Sequence, residues 1–182
     1  MNKEVYIAAP FFNDAQRSLV CGVEDILRRH EISFFSPRLE CFCPPDASTV
    51  LRTRTFGMNL DALNKVALMI VVLDWLPEAG TYVCLRYCTT GKEKMLNVPD
   101  AGTIFELGYA RALSNVTLLG LRTRHRGPVN LMLAQSLHGI ANTLCDLEAC
   151  VERAKNFKKF TQHYNWLRAV NETTREWKGT IV

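Results

Sequence analysis

Short, uninterrupted apolar runs alternate along this chain with stretches whose apolar residues recur at helical spacing. The clearest run, residues 66–73, reads Val-Ala-Leu-Met-Ile-Val-Val-Leu and is apolar on both faces of an extended strand. A strand of that kind needs a helical layer on each side, which is the setting of a parallel sheet. Residues 5–9, closed by Pro10, and residues 32–35, closed by Ser36-Pro37, read as the first two strands. Residues 67–74 are the third and 116–121 the fourth, and a fifth is expected near 137–140. Between them, Asn13 or Asp14 caps a helix carrying Leu19, Val23, Ile26 and Leu27. Further helices are expected over 49–65, 103–113 and 129–136, the last with Pro128 at its first position, and from 144 to about 177. Residues 38–48, broken by Cys and Pro, read as a loop.

Alternating β and α elements imply an α/β chain: a doubly wound, mostly parallel five-stranded sheet with helices on both faces. With 182 residues and 48% apolar composition, one core suffices, so residues 1–182 are read as a single domain. Ligands of such sheets sit beyond the C-terminal ends of the strands. Residues 10–14, 37–40, 74–106 and 122–130 are therefore placed around one crevice. The 75–99 stretch is long for a loop, and loops of that length are usually functional. Within it, Pro77-Glu78-Ala79-Gly80-Thr81 echoes Pro99-Asp100-Ala101-Gly102-Thr103, with Cys84 where the second copy has Glu106.

Charge and cysteine content narrow the function. A net charge of +4, with basic residues in short clusters at 122–126 and 155–159, does not outline a nucleic-acid groove. The longest apolar run has eight residues, against roughly 20 needed to cross a bilayer. The first residues lead straight into a strand, unlike a signal peptide. Seven cysteines, an odd count, are read as reduced thiols in a cytoplasmic protein. Their C-x-C, C-x3-C and C-x4-C spacings match no recognised zinc pattern, and no metal is expected.

Asp100 and Glu106 carry the candidate chemistry. One reading is local: Thr103-Ile104-Phe105-Glu106 fits a capping box, with Thr103 as cap and Glu106 reaching back to its amide. The other is chemical. A carboxylate in a first helical turn feels the positive end of the helix dipole and stays ionised. Facing the crevice beside a second carboxylate, it has the equipment for breaking a glycosidic bond.

The blocks around these residues resemble the nucleoside 2-deoxyribosyltransferases. Tyr6-Ile7-Ala8-Ala9-Pro10-Phe11-Phe12, with Asp14 and Gln16, resembles their opening strand and loop. Residues 100–110, Asp-Ala-Gly-Thr-Ile-Phe-Glu-Leu-Gly-Tyr-Ala, are similar to their D-x-G-T-x-x-E-L-G-Y-A motif, and Pro128-Val129-Asn130-Leu131-Met132 to their P-x-N-L-M segment. The resemblance implies a flavodoxin-like domain, no cofactor, and double displacement between deoxynucleosides and free nucleobases. It implies Glu106 as the nucleophile on C1′, Tyr6 orienting it, and Asp100 at the sugar or base. Phe11, Phe12, Asp14, Gln16 and Gly102 fall in the substrate-binding blocks. Asn130, with Met132 near it, is implied to serve a neighbouring subunit's site, hence a homo-oligomer with shared active sites. Each residue also has a purely structural reading: Tyr6, Phe11 and Phe12 as packing aromatics, Asn130 as a helix cap, Met132 as core.

The chain departs from the family in places. Asn59 aligns with an Asp proposed to protonate the departing base; Asn cannot do so, which leaves Asp61, Asp100 or solvent. Ala9 stands where Gly is common. The 75–99 segment is longer than usual and is read as a lid or an oligomer contact, with a passive insertion as the alternative. The helical extension at about 150–182 is not covered by the motifs. Two other functions stay open on the same fold. A nucleoside 5′-monophosphate N-glycoside hydrolase would hold phosphate through Ser36, Arg38 or the Arg122/Arg124 loop. A non-catalytic nucleotide-binding module would not need the Tyr6, Asp100 and Glu106 set.

Overall fold

The computed structural model describes residues 3–74, 100–123, 129–157 and 162–174. Their elements run β1 (Val5–Ala8), α1 (Asp14–Arg29), β2 (Phe34–Phe35), α2 (Pro37–Glu40), α3 (Thr49–Leu63) and β3 (Leu68–Val72). They continue with α4 (Ala101–Ala112), β4 (Thr117–Leu121), α5 (Leu131–Ser136), β5 (Gly139–Ala141), α6 (Leu144–Asn156) and α7 (Gln162–Thr173). The strands form one five-stranded sheet in the order β2-β1-β3-β4-β5, and every pairing is parallel. This is the flavodoxin-like order, with its switch point between β1 and β3.

Every residue of β1, β3 and β4 is buried, as runs apolar on both faces require. Alternate strand residues feed two cores. Val5, Ile7, Leu68, Ile70, Leu119 and Leu121 pack with α1, α6 and α7. Tyr6, Ala8, Met69, Val71 and Leu118 pack with Leu63 of α3 and with Leu107 and Ala110 of α4.

Local chemistry sets the ends of α1. Asn13 caps it, accepting from Gln16 N at 2.9 Å, while Gln16 Oε1 accepts from Asn13 N at 3.3 Å, a capping box. At the other end Ile32 N donates to Leu27 O and Glu31 N to Arg28 O, a Schellman closure with Glu31 at φ 57. Ile32 is thereby tied to the helix end, which is why β2 is shorter than the expected 32–35.

Three expectations need correction. Residues 38–40, within the stretch read as loop, belong to α2: Pro37 sits at its first position with a preset φ. Helix α4 starts at Ala101 rather than Thr103, because Asp100 is its cap and accepts from Thr103 N at 3.1 Å. The helical reading of the C-terminal third resolves into two helices. The second, α7, buries Trp166, Ala169 and Val170 against the sheet, and Trp166 Nε1 donates to Glu4 Oε1 at 2.9 Å. The 75–99 segment with its echo and Cys84, the basic residues 124–126, Pro128, the lysines at 158 and 159, and everything past 174 lie outside the described residues.

Candidate active site

Strand β1 supplies Tyr6 and helix α4 supplies Glu106. The Tyr6 hydroxyl donates to Glu106 Oε1 at 2.6 Å, joining residues 100 positions apart in the chain. Phe35 of β2 stacks on the Tyr6 ring with centroids 5.4 Å apart and fixes its plane. Burial, then the neighbouring Glu106 charge, push the Tyr6 phenol far above its ordinary value, so it remains a donor.

Glu106 differs from its expected state. It lies in the second turn of α4, past the reach of the helix terminus, and burial raises its carboxyl to about 7. The Tyr6 hydrogen bond opposes that rise and the Asp100 charge adds to it. The proposed capping box is absent: Asp100 takes the cap, and Thr103 is buried one turn before Glu106. A Cβ on Gly102 would come within 3.0 Å of Asp100 Oδ2, so the glycine makes room for the capping carboxylate. The D-x-G-T block therefore has a local reason of its own, and it brings a second negative charge to Glu106.

Beyond the end of β1, Phe11 and Phe12 stack with centroids 5.3 Å apart, and Phe42 joins Phe11 at 6.4 Å. Phe12 is 65% exposed and Phe42 60%, a large accessible aromatic surface. Gln16 is buried and its carbonyl oxygen also accepts from Phe12 N at 2.8 Å, so it braces the aromatic loop. Asp14 is exposed and paired with Arg17 at 2.6 Å.

Asn59 of α3 accepts from the Cys41 thiol, Sγ to Oδ1 2.9 Å. The thiol packs against the cluster that holds Tyr6, and burial, then the Glu106 charge, push it up to about 11. Asp61 is exposed and, two residues along the helix, projects from a different face than Asn59. Asn130 caps α5 through Met132 N at 2.9 Å, and Met132 is 73% exposed rather than part of the core. Among the described residues no hydrogen bond or ring contact joins either to Tyr6, Asp100 or Glu106.

The phosphate candidates at β2 have another occupation. Buried Glu24 accepts from Ser36 Oγ at 2.8 Å, from Arg38 Nε at 3.3 Å and from Arg28 Nη2 at 3.1 Å. Arg38 and Arg28 thus neutralise a core carboxylate, and Ser36 adds a hydrogen bond to it. Cys21, Cys41, Cys43, Cys145 and Cys150 are free thiols, and among the described residues no cluster of His, Cys, Asp and Glu could hold a metal ion. No helix of the described residues is long and apolar enough to cross a membrane.

A buried Tyr–Glu pair beside a second carboxylate, at the switch point of a 2-1-3-4-5 sheet, fits the motif blocks in order and place. The sequence profile of the family described as nucleoside 2-deoxyribosyltransferase matches residues 5–158. The chain belongs to this family. Among solved structures it is similar to the 2-deoxyribosyltransferase of the psychrotolerant bacterium Bacillus psychrosaccharolyticus. The two share 26% identity with a TM-score of 0.60, over 80% of this chain and 90% of that one. A conserved protein from Enterococcus faecalis V583 shares the fold at 17% identity and TM-score 0.58, over 84% of this chain and 98% of that one. No curated protein matches the chain significantly.

Seen as a deoxyribosyltransferase-family site, this one includes three residues that sequence reasoning passed over: Phe35, Cys41 and Phe42. Phe42 shared the signal that singled out Phe11 and Phe12, an aromatic beyond the C-terminal end of a sheet strand. Cys41 had none, since nothing local announces a thiol that meets a residue of another helix.

Proposed function

We propose that the protein transfers a 2-deoxyribosyl group between nucleobases through a covalent intermediate on Glu106. The reading rests on one observation above the others: Glu106, half-buried, is held by Tyr6 Oη at 2.6 Å with its carboxyl raised to about 7. Burial makes the carboxylate poorly solvated and therefore reactive, and the phenol aims it. In the first step a Glu106 oxygen forms a bond to C1′ while the C1′–N bond breaks, and the electron pair leaves with the base. The departing nitrogen takes a proton from Asp100 or solvent. In the second step a nitrogen of the incoming base attacks C1′, the ester bond breaks, the carboxylate returns, and the proton displaced from that nitrogen passes to Asp100 or solvent. Two displacements at one carbon restore the starting configuration. The accessible surface of Phe11, Phe12 and Phe42 suits the face of a planar base.

The engagement of Ser36 and Arg38 with Glu24 favours free nucleosides over 5′-monophosphates, because the cations nearest the crevice at β2 are already neutralised. Asn130 and the exposed Met132 are assigned to the site of a second subunit in a homo-oligomer.

The test is base exchange. Deoxyinosine incubated with free adenine or cytosine should yield new deoxynucleoside faster than free sugar, and Glu106→Ala should abolish both products. Free base without new nucleoside, above all from deoxycytidine monophosphate, would replace the transferase by a hydrolase. Retained turnover in Glu106→Ala would remove the nucleophile.

A further inference from the structure

The loop after α2 spans the distance between the reacting carboxylate and the aromatic surface in two consecutive residues. Cys41 lies close enough to Glu106 and Tyr6 to share their electrostatics, while the ring of Phe42 meets Phe11 at 6.4 Å. A nucleobase bonded to the carbon that Glu106 attacks and stacked on this aromatic face would present its edge to the loop. Asn59 is anchored at the Cys41 end of it. Its Oδ1 accepts from the thiol at 2.9 Å, and among the described residues its NH2 donates to nothing. A primary amide presents either an acceptor or a donor depending on a rotation about its last bond. With the oxygen turned to the thiol, the NH2 is the side turned away from it.

We propose that Cys41 is a positioning residue for base selection: its hydrogen bond locks the Asn59 amide with the NH2 turned to the nucleobase edge. The site then favours bases that offer a carbonyl acceptor there and disfavours those that offer an exocyclic amine. An amine facing the locked NH2 leaves two donors opposed, and unmatched polar groups discriminate more strongly than missing apolar contacts. The thiol, with its raised pKa of about 11, stays protonated across the neutral range and keeps the lock closed. This inference rests on the transferase reading, and its test separates the two.

Exchange rates are measured with competing acceptor bases that differ in this one feature, hypoxanthine against adenine and uracil against cytosine, in whichever base class is accepted. The wild type should favour the oxo base. In Cys41→Ala the amide is free to rotate, and the preference should fall by roughly five- to tenfold, mainly through faster use of the amino base. Cys41→Ser, which keeps a donor, should retain it; a merely structural loss would slow both bases alike and leave the ratio unmoved. An unchanged ratio in Cys41→Ala, or a Cys41→Ser protein that behaves like Cys41→Ala, overturns the lock while the transferase stands. No exchange by the wild type overturns both. Infrared difference spectra against Cys41→Ala isolate the Cys41 S–H stretch whatever the turnover. It should lie lower in the wild type than in Asn59→Ala, and equal frequencies would exclude the hydrogen bond.

Discussion

Glu106 is kept in a state that a solvated glutamate would not adopt. Its carboxyl titrates near 7 because burial outweighs the hydrogen bond from Tyr6. Only the carboxylate can attack C1′, so the first half-reaction should rise with pH through about 7 and level off above it. Tyr6→Phe removes the one interaction that lowers this value, and the midpoint should therefore move up. The plateau rate should fall roughly 10- to 100-fold, the worth of a hydrogen bond to a charged group. A pH–rate profile of both proteins checks it, and a midpoint that moved down would contradict the assignment. The motif blocks alone single out residues 6, 100 and 106, and the fold brings them together. The state of Glu106 was not legible in them, because the helix that carries it begins two residues earlier than Thr103 implied and its environment comes from β1 and β2.

The elements themselves are punctuated by side chains whose capping bonds reach beyond the helix end. Asn13 and Gln16 cap α1 and hold the aromatic loop; Asp100 caps α4 and loads Glu106 with charge; Asn130 caps α5. For Asn130 the sequence set a helix cap beside a site role, and the cap is what the structure shows. At the far end of α1, Glu31 occupies the left-handed region at the position where helices usually place glycine. Glu31→Gly should relieve that strain and stabilise the protein by about 0.5–1 kcal/mol, raising Tm by about 1–4 °C in a thermal melt. An unchanged or lower Tm would mean the glutamate contributes a compensating contact. Residue 31 could not be identified beforehand, since a Schellman closure without glycine leaves no compositional mark.

Across the whole molecule, the sheet is covered on both sides, and α7 takes part in that cover although it lies beyond the family match at 5–158. Gly139 shows how close the fit is. A Cβ there would come within 2.1 Å of Thr174 Oγ1 and 2.6 Å of Val170 Cγ1. Trp166, fully buried and bonded to Glu4, ties this helix to the edge of β1. Trp166→Ala should cost about 3–5 kcal/mol in denaturant unfolding. A loss below about 1 kcal/mol would show that α7 is dispensable to the core.

Composition and periodicity were enough to place the fully buried strands β1, β3 and β4 and their helical partners, because burial on both faces writes a continuous apolar run into the chain. The motif blocks were enough to single out Glu106, the proposed nucleophile, because the residues that mark it are its neighbours in the chain. Contacts between distant segments carry no such trace. The Tyr6–Glu106 bond, the Glu24 anchor that occupies Ser36 and Arg38, and the meeting of Cys41 with Asn59 each join separate elements. They exist only once the sheet has set the elements side by side. The pKa of Glu106 belongs with them, since desolvation is a property of the packed interior and of no stretch of sequence.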